Sequence, residues 1–323
     1  MLAAACAAPP AQPTATGGST VPVPQQPAAA SDPALATHLQ ALQKVATDHG
    51  GNRAAGTPGY DASVDYVVGV LRQAGFDVST PTYEVEADGA GSGQGRNVIA
   101  QTRTGDSGRV VMIGAHLDSV PEGPGIVDNG SGVATLLEIA KRLGTEPQVK
   151  NMVRFAFFGH EETGAQGSAA YVRGLPSDEL AKIKMYLNVD MVASPNAGYF
   201  VQGGKGSEPE RAGPPGSATI GQVLADQLAK TGVRTEIIEF VGDDESPFIE
   251  AGIPVGGAEN GDRKRKTDEE AAAWGGQAGQ AYDRCYHQAC DTIENVNYEV
   301  LDRYHRALDA TVAHFANSTD ELR

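Results

Sequence analysis

The chain has 323 residues, and its 41 Asp and Glu outnumber 25 Lys and Arg, for a formal net charge of −16 at pH 7. That acidity disfavours nucleic acid and anionic membrane surfaces as partners. The length is enough for one large α/β domain with a substantial core, and no apolar run approaches membrane-spanning length.

Residues 1–33 stand apart, being almost wholly Ala, Pro, Gly, Ser, Thr and Gln with a single charge at Asp32. Such a composition buries too little apolar surface to offset its ordering entropy, so a disordered tether ahead of a folded domain at 34–323 is expected. Met1-Leu2-Ala3-Ala4-Ala5-Cys6 reads as the end of a lipoprotein signal without its basic part or most of its apolar part. Cys6 is therefore a candidate lipidation site, and the expected location is extracellular or cell-envelope. The alternative is an incidental Cys in an Ala-rich tail.

Asp32-Pro33 supplies an N-cap and a first-turn proline for a helix whose apolar stripe is Leu35, Leu39, Leu42 and Val45. A loop at 51–59 leads to a second helix over 60–74, with Val64, Val67, Val68 and Leu71 on one face and Gly75 closing it. Strands are expected at 77–85 and 97–101, on either side of the Gly-rich stretch 89–95. Val110-Val111-Met112-Ile113 reads as a strand buried on both faces, with a helix over 133–143. Further strands follow at 153–158, 185–189, 235–239 and 253–255, with a helix at 218–230. Residues 260–281 are polar and Gly-rich, a long surface loop with one helical turn at 269–274. The C-terminal helix carries Leu301, Tyr304, Leu308, Val312 and Phe315 at helical spacing. This alternation gives an α/β fold, a mostly parallel twisted sheet sandwiched between helices.

The chemistry gathers at the strand ends. His116 and Asp118 follow the strand at 110–113, and Asp128 lies in the Gly- and Pro-rich loop beyond it. His160-Glu161-Glu162 follows 153–158, and Asp190 follows 185–189. Open α/β sheets bind ligands at such carboxyl ends. Together with His287, these imidazoles and carboxylates suit a pair of borderline cations such as Zn²⁺. A lone His-X-Asp or Glu-Glu pair is commonly a solvated surface feature, but a whole set at strand ends is not. Cys285 and Cys290 bracket Tyr286 and His287. In an exported protein such a pair is most simply a disulfide, and in a cytosolic one two free thiols. His160 reads as a structural or rim residue, and His38, His49, His305 and His314 as surface residues.

A-H-L-D-S-V-x-E-G-P-G-I-x-D-N-G-S-G from Ala115, F-F-G-H-E-E-T-G from Phe157, Y-L-N-V-D-M from Tyr186 and D-R-C-Y-H-Q-A-C-D from Asp283 carry a resemblance. Over about residues 53–310 the chain resembles the secreted bacterial double-zinc aminopeptidases of the leucyl-aminopeptidase type. The resemblance implies a zinc-exopeptidase fold (phosphorylase/hydrolase-like), two zinc ions, and peptide substrates with a free N-terminus. Asp128 would bridge the metals, His116 and Asp190 completing one site and Glu162 with His287 the other. Glu161 would be the general base, Tyr286 the donor to the oxyanion, and Asp118 the group holding the far nitrogen of His116. The peptide bond after the bridging residue is cis in the family, so Asp128–Asn129 is expected to be cis. A monomer is expected.

Departures from the family are informative. The family's substrate-holding Arg has no counterpart in 242–248, and of the two Asp that bind calcium in some relatives only Asp302 is matched, Arg306 taking the other position. Relatives place a large apolar residue in the wall of the pocket for the substrate's N-terminal side chain. Here Gly256-Gly257-Ala258-Glu259-Asn260 aligns with that stretch and puts Glu259 in the wall. Glu259 would then favour Lys or Arg over Leu or Phe, unless it turns outward and leaves a wider pocket. The rival readings are a carboxypeptidase on the same fold and a non-catalytic binding ectodomain.

Overall fold

The strands, in chain order, are β1 (Val78–Ser79), β2 (Thr82–Val85), β3 (Gly93–Arg96), β4 (Val98–Gln101), β5 (Asp106–His116), β6 (Asn151–Phe158), β7 (Ile183–Val189), β8 (Phe200–Gln202), β9 (Glu236–Ile238) and β10 (Val255–Glu259). The helices are α1 (Pro33–Asp48), α2 (Pro58–Gln73), α3 (Gly130–Leu143), α4 (Gln166–Gly174), α5 (Ser177–Leu180), α6 (Pro209–Ala212), α7 (Ser217–Ala229), α8 (Ser246–Glu250), α9 (Asp268–Trp274) and α10 (Tyr298–Asn317). The structure is a computed structural model that describes residues 32–85 and 93–322. The expected tether, apart from Asp32 and Pro33, and the candidate lipidation site Cys6 lie outside the described residues. Among the described residues no helix is long and apolar enough to cross a membrane.

The main sheet runs β1-β4-β6-β5-β7-β10-β8-β9. Its centre, β6-β5-β7-β10, is parallel, while β4 and β8 join its two sides antiparallel. The chain leaves β5 through α3 to β6 on one side, then returns through α4 to β7 on the other. Connections departing in opposite directions around one strand open a crevice at its carboxyl end. Register lines up the ends there: His116 is opposite Phe158, Gly114 opposite Asn188, and Ala258 opposite Val189.

Helices cover both faces, which is why β5 shows no alternation of polar and apolar residues. Val111, Ile113 and Ala115 enter the larger core with Leu35, Val64, Leu136, Leu224 and Leu308. Val110 and Met112 face the other side, with Phe158, Tyr186 and Phe248. Each such fully buried side chain contributes about 1.5–3 kcal/mol relative to exposure. Gly114 is required on this second face, since a β-carbon there would come 2.5 Å from the Tyr186 hydroxyl. That hydroxyl donates to Asn188 Oδ1 at 2.9 Å, under the strand ends.

Several expectations change. The strand expected at 77–85 is two, because Pro81 has no N–H for a ladder: β1 edges the main sheet and β2 pairs with β3 in a separate hairpin. His38 is buried rather than on the surface, its Nε2–H donating to Glu138 Oε1 and its Nδ1 accepting from Tyr66, each at 2.6 Å. Glu138 accepts only, so the pair fixes the tautomer. His305 is buried too. Apolar faces of α1, α2, α3 and α10 converge where these histidines lie; His38 sits inside with both ring nitrogens partnered, whereas His305 Nε2 is buried without a hydrogen-bond partner.

Candidate active site

Five side chains from four separate segments meet at the carboxyl ends of β5, β6 and β7. His116 Nε2 lies 3.1 Å from Asp128 Oδ1 and 3.4 Å from Asp190 Oδ1. His287 Nε2 lies 3.1 Å from Asp128 Oδ2 and 2.9 Å from Glu162 Oε2. Asp128 thus turns one oxygen to each group. Donor atoms of His116, Asp128 and Glu162 fall within 4.8 Å of one another, and Glu161 makes none of the contacts that add Asp190 and His287 to them. Asp128–Asn129 is a cis peptide.

Local backbone explains how neighbours in sequence come to point differently. His160, Met191 and His287 have φ of 57°, 49° and 56°. These are left-handed conformations unfavourable for side chains with a β-carbon, and such outliers gather where surrounding structure over-determines them. Met191 and His287 sit at or beside a candidate ligand, and His160 beside the candidate base Glu161. Asn129 caps α3 by accepting from Gly132 N–H and donates to the Val189 carbonyl, tying the Asp128 loop to the end of β7.

Asp118 stands at the far nitrogen of His116 and also serves a second purpose. His116 Nδ1 faces the main-chain carbonyl of Asp118 at 3.1 Å, and the nearer carboxylate oxygen is at 3.7 Å. A carbonyl can only accept, so Nδ1 carries a proton, and Nε2 is the ring atom turned to Asp128 and Asp190. The Asp118 carboxylate instead accepts from the main-chain N–H of Glu161 at 3.2 Å and of Glu162 at 3.4 Å.

The electrostatics favour a cation. Burial disfavours a charged His116, yet Asp190 with Asp118 and Asp128 outweighs it and raises the imidazole well above its ordinary range. Burial likewise opposes the His287 imidazolium, but the hydrogen bonds it donates to Asp128 and Glu162 lift it to about 10. Burial pushes Glu162 up to about 7, with Asp128 adding to the rise. Asp128 resists the same burial because both histidines donate to it, and stays below the usual carboxylate range. Glu162 Oε1 and Asp190 Oδ1 are buried without a hydrogen-bond partner. Excess negative charge, unpartnered buried oxygens and imidazole Nε2 atoms make a donor set that fits Zn²⁺.

Around this set, Glu161 is pushed well above the usual carboxylate range by burial and by Asp190, Asp244 and Asp243. Cys285–Cys290 is a disulfide. It closes the loop in which the Tyr286 ring stacks on His287 at 3.8 Å, with the Arg263 guanidinium 5.1 Å above the Tyr286 ring. Burial and the nearby carboxylates raise the Tyr286 phenol, which stays protonated. Glu259 ends β10 one residue beyond the Ala258–Val189 pair, so it stands beside Asp190 on the same face. Its Oε2 accepts from Gln202 Nε2 at 3.1 Å, no Lys or Arg pairs with it among the described residues, and burial pushes it to about 7.

The sequence assigns no role to two groups bearing on the site, although Asp291 closes the D-R-C-Y-H-Q-A-C-D motif. Arg53, in the turn between α1 and α2, is wholly buried behind the Asp128 loop, and Asp291 is buried beside it. Both stand inside the resembling span, but nothing in a Gly-rich turn announces a buried arginine.

Comparison with known proteins agrees with this geometry. Leupeptin-inactivating enzyme 1 of Streptomyces exfoliatus is 47% identical over 272 residues, 82% of this chain and 58% of that protein. The probable lipoprotein aminopeptidase LpqL of Mycobacterium tuberculosis is 46% identical over 256 residues, 76% of this chain and 51% of that one. The chain therefore matches little more than half the length of these relatives. The zinc aminopeptidase BSAP of Bacillus subtilis shares the fold, with a TM-score of 0.70 at 18% identity, over 90% of this chain and 96% of that structure. The pattern of peptidase family M28 spans residues 97–312. That span holds His116, Asp128, Glu161, Glu162, Asp190 and His287 alike, and the chain belongs to peptidase family M28.

Proposed function

We propose that this chain is a dinuclear zinc aminopeptidase that removes N-terminal residues from peptides with a free α-amine. The observation that carries the reading is the division of Asp128, with Oδ1 toward His116 and Asp190 and Oδ2 toward His287 and Glu162. Each trio would hold one Zn²⁺. When bound, such a pair lowers the pKa of a water from 15.7 toward ~7 and polarises the scissile carbonyl.

The chain's own residues do the rest. Glu161, outside the ligand contacts and raised by burial, takes the proton of the attacking water and returns it to the leaving amine. Asp118 holds the Glu161 and Glu162 main chain, so base and ligand keep a fixed relation. Tyr286, kept protonated, donates its O–H to the oxyanion of the tetrahedral intermediate. The Asp118 carbonyl fixes the His116 ring with Nε2 inward. A lipid anchor at Cys6 would hold the enzyme at the cell envelope; the name of the LpqL relative supports that.

Glu259 extends the reading to the substrate's first side chain. It is beside Asp190 and in an ion pair with no described cation, in a region where the charges of Asp243 and Asp262 act together with that of Lys264. A Lys or Arg side chain paired there gains ~1–3 kcal/mol over an apolar one. Glu259→Phe is therefore expected to shift the ratio of kcat/KM for Lys- over Leu-nitroanilide toward Leu by about tenfold. A wild type that prefers Leu, unchanged by the substitution, would remove Glu259 from the pocket.

The aminopeptidase reading is tested with matched peptides, free and N-acetylated, on the zinc-loaded protein. Cleavage of the free peptides alone is expected. Equal cleavage of blocked peptides overturns the reading, release from the carboxyl end favours a carboxypeptidase, and no cleavage favours a binding ectodomain.

A further inference from the structure

Behind the Asp128 loop sits a guanidinium with no accessible surface. Arg53 Nε donates to the Pro124 carbonyl at 2.9 Å, and its terminal nitrogens donate to the carbonyls of Leu117 and Gly125. Its main-chain N–H donates to Ser119 Oγ at 2.9 Å, and the Ser119 hydroxyl reaches on to the carbonyls of Val120 and Gly123, both at 3.0 Å. Among the described residues no carboxylate forms an ion pair with Arg53. Asp118, Asp291, Asp128 and Glu162 act on its charge from farther off.

Asp291 holds the other side of the same loop. Its Oδ1 accepts from Val127 N–H at 2.8 Å, its Oδ2 from Asp128 N–H at 3.0 Å, and its carbonyl from Ile126 N–H at 3.2 Å. Asp291 directly follows Cys290, so it ties the Asp128 loop to the disulfide loop that carries His287. The two loops also touch at Gly123, where a β-carbon would come 2.2 Å from the Gln288 carbonyl oxygen.

Burying a guanidinium without a paired carboxylate is costly, and an apolar side chain would fill the space without that cost. It could not gather three carbonyls at fixed angles, which the planar fork of an arginine does. Arg53 takes the carbonyls at both ends of 117–125 and Asp291 takes the amides of 126–128. What they hold between them is the main chain from which Asp128 projects.

We infer that Arg53 and Asp291 are positioning residues, a two-sided clamp that aims Asp128 between His116 and His287 and so sets the affinity for the second ion more than for the first. The reasoning rests on the two-ion reading above. Each proposed site has two residues of its own and one Asp128 oxygen. A misaimed Asp128 still completes one trio but not both. Loosening the clamp therefore costs joint occupancy.

The test strips the protein with a chelator and titrates it with Co²⁺, following visible absorption and heat, alongside thermal unfolding of the stripped proteins. Wild type is expected to take two equivalents. Arg53→Lys keeps the charge without the fork, and Asp291→Asn keeps one acceptor of two. Both are expected to bind the first equivalent close to wild type and the second roughly 10–100-fold more weakly, with Arg53→Met weaker than Arg53→Lys. Asn151→Ala serves as control: Asn151 donates to the carbonyls of Phe315 and Ser318, and its loss should lower the melting temperature with both binding steps unchanged. Should the Arg53 variants not fold, Asp291→Asn and Ser119→Ala carry the comparison. Two equivalents bound at wild-type affinity in these variants, or both steps weakened equally, overturns the clamp alone. A wild type that takes one equivalent overturns the two-ion reading and the clamp with it.

Discussion

Glu161→Gln is expected to keep both zinc ions and to lose roughly 10²–10⁴-fold in kcat, the usual worth of a positioned general base. Gln has the volume of Glu and cannot accept a proton. The substitution leaves the main-chain N–H of residue 161 on Asp118, so the adjoining Glu162 keeps its place. The Glu161 carboxylate takes part in none of the contacts that join His116, Asp128, Glu162, Asp190 and His287, and metal content should not change. KM should move little, because the proposed metal ligands and Glu259 are untouched. Metal analysis with steady-state kinetics separates the outcomes: loss of zinc in the variant would make Glu161 a ligand and leave the base unassigned.

Asp128→Asn should cost more. The wild-type side chain turns one carboxylate oxygen to His116 and the other to His287, each at 3.1 Å. Asn offers one oxygen and one N–H₂, and the amide faces an imidazole Nε2 that has to remain unprotonated for a metal. One trio keeps its third ligand and the other loses it. The variant is expected to hold at most one tightly bound zinc, and activity to fall on the order of 10³-fold or more, since the arrangement that supplies a nucleophile at neutral pH is gone. Excess zinc should not restore it. Two tightly bound ions in the variant would show that Asp128 does not bridge.

Much of this site could be read from the sequence because the fold advertises it. The runs that become β5, β6 and β7 are buried on both faces, and a His, Asp or Glu immediately after such a run has to be at a strand end. The parallel order that brings those ends together follows from the alternation of strands and helices. What stayed hidden depends on packing between distant segments. Nothing in the sequence sets Arg53 apart until α1 and α2 are docked behind the Asp128 loop. His38 and His305 become interior only where several helix faces converge. That Asp118 stands at His116 is legible in the His-X-Asp spacing; that the tight turn after β5 presents its carbonyl to the ring and leaves its carboxylate for the Glu161-Glu162 amides is not. The short elements β8 and α4 were missed for a local reason: β8 has three residues, and α4 starts from a left-handed Ala165 with no side-chain cap. The separation of β1 from β2 at Pro81 was legible in principle, since proline cannot continue a ladder.

The central claim is that two ions share Asp128 and that catalysis needs both. Its most direct test is to strip the protein, return zinc stepwise, and read bound zinc per chain together with hydrolysis of Lys- and Leu-nitroanilide. The account predicts no hydrolysis in the stripped protein, two zinc ions per chain at saturation, and full activity only as the second equivalent binds. Full activity at one bound zinc, or undiminished activity in the stripped protein, would contradict it.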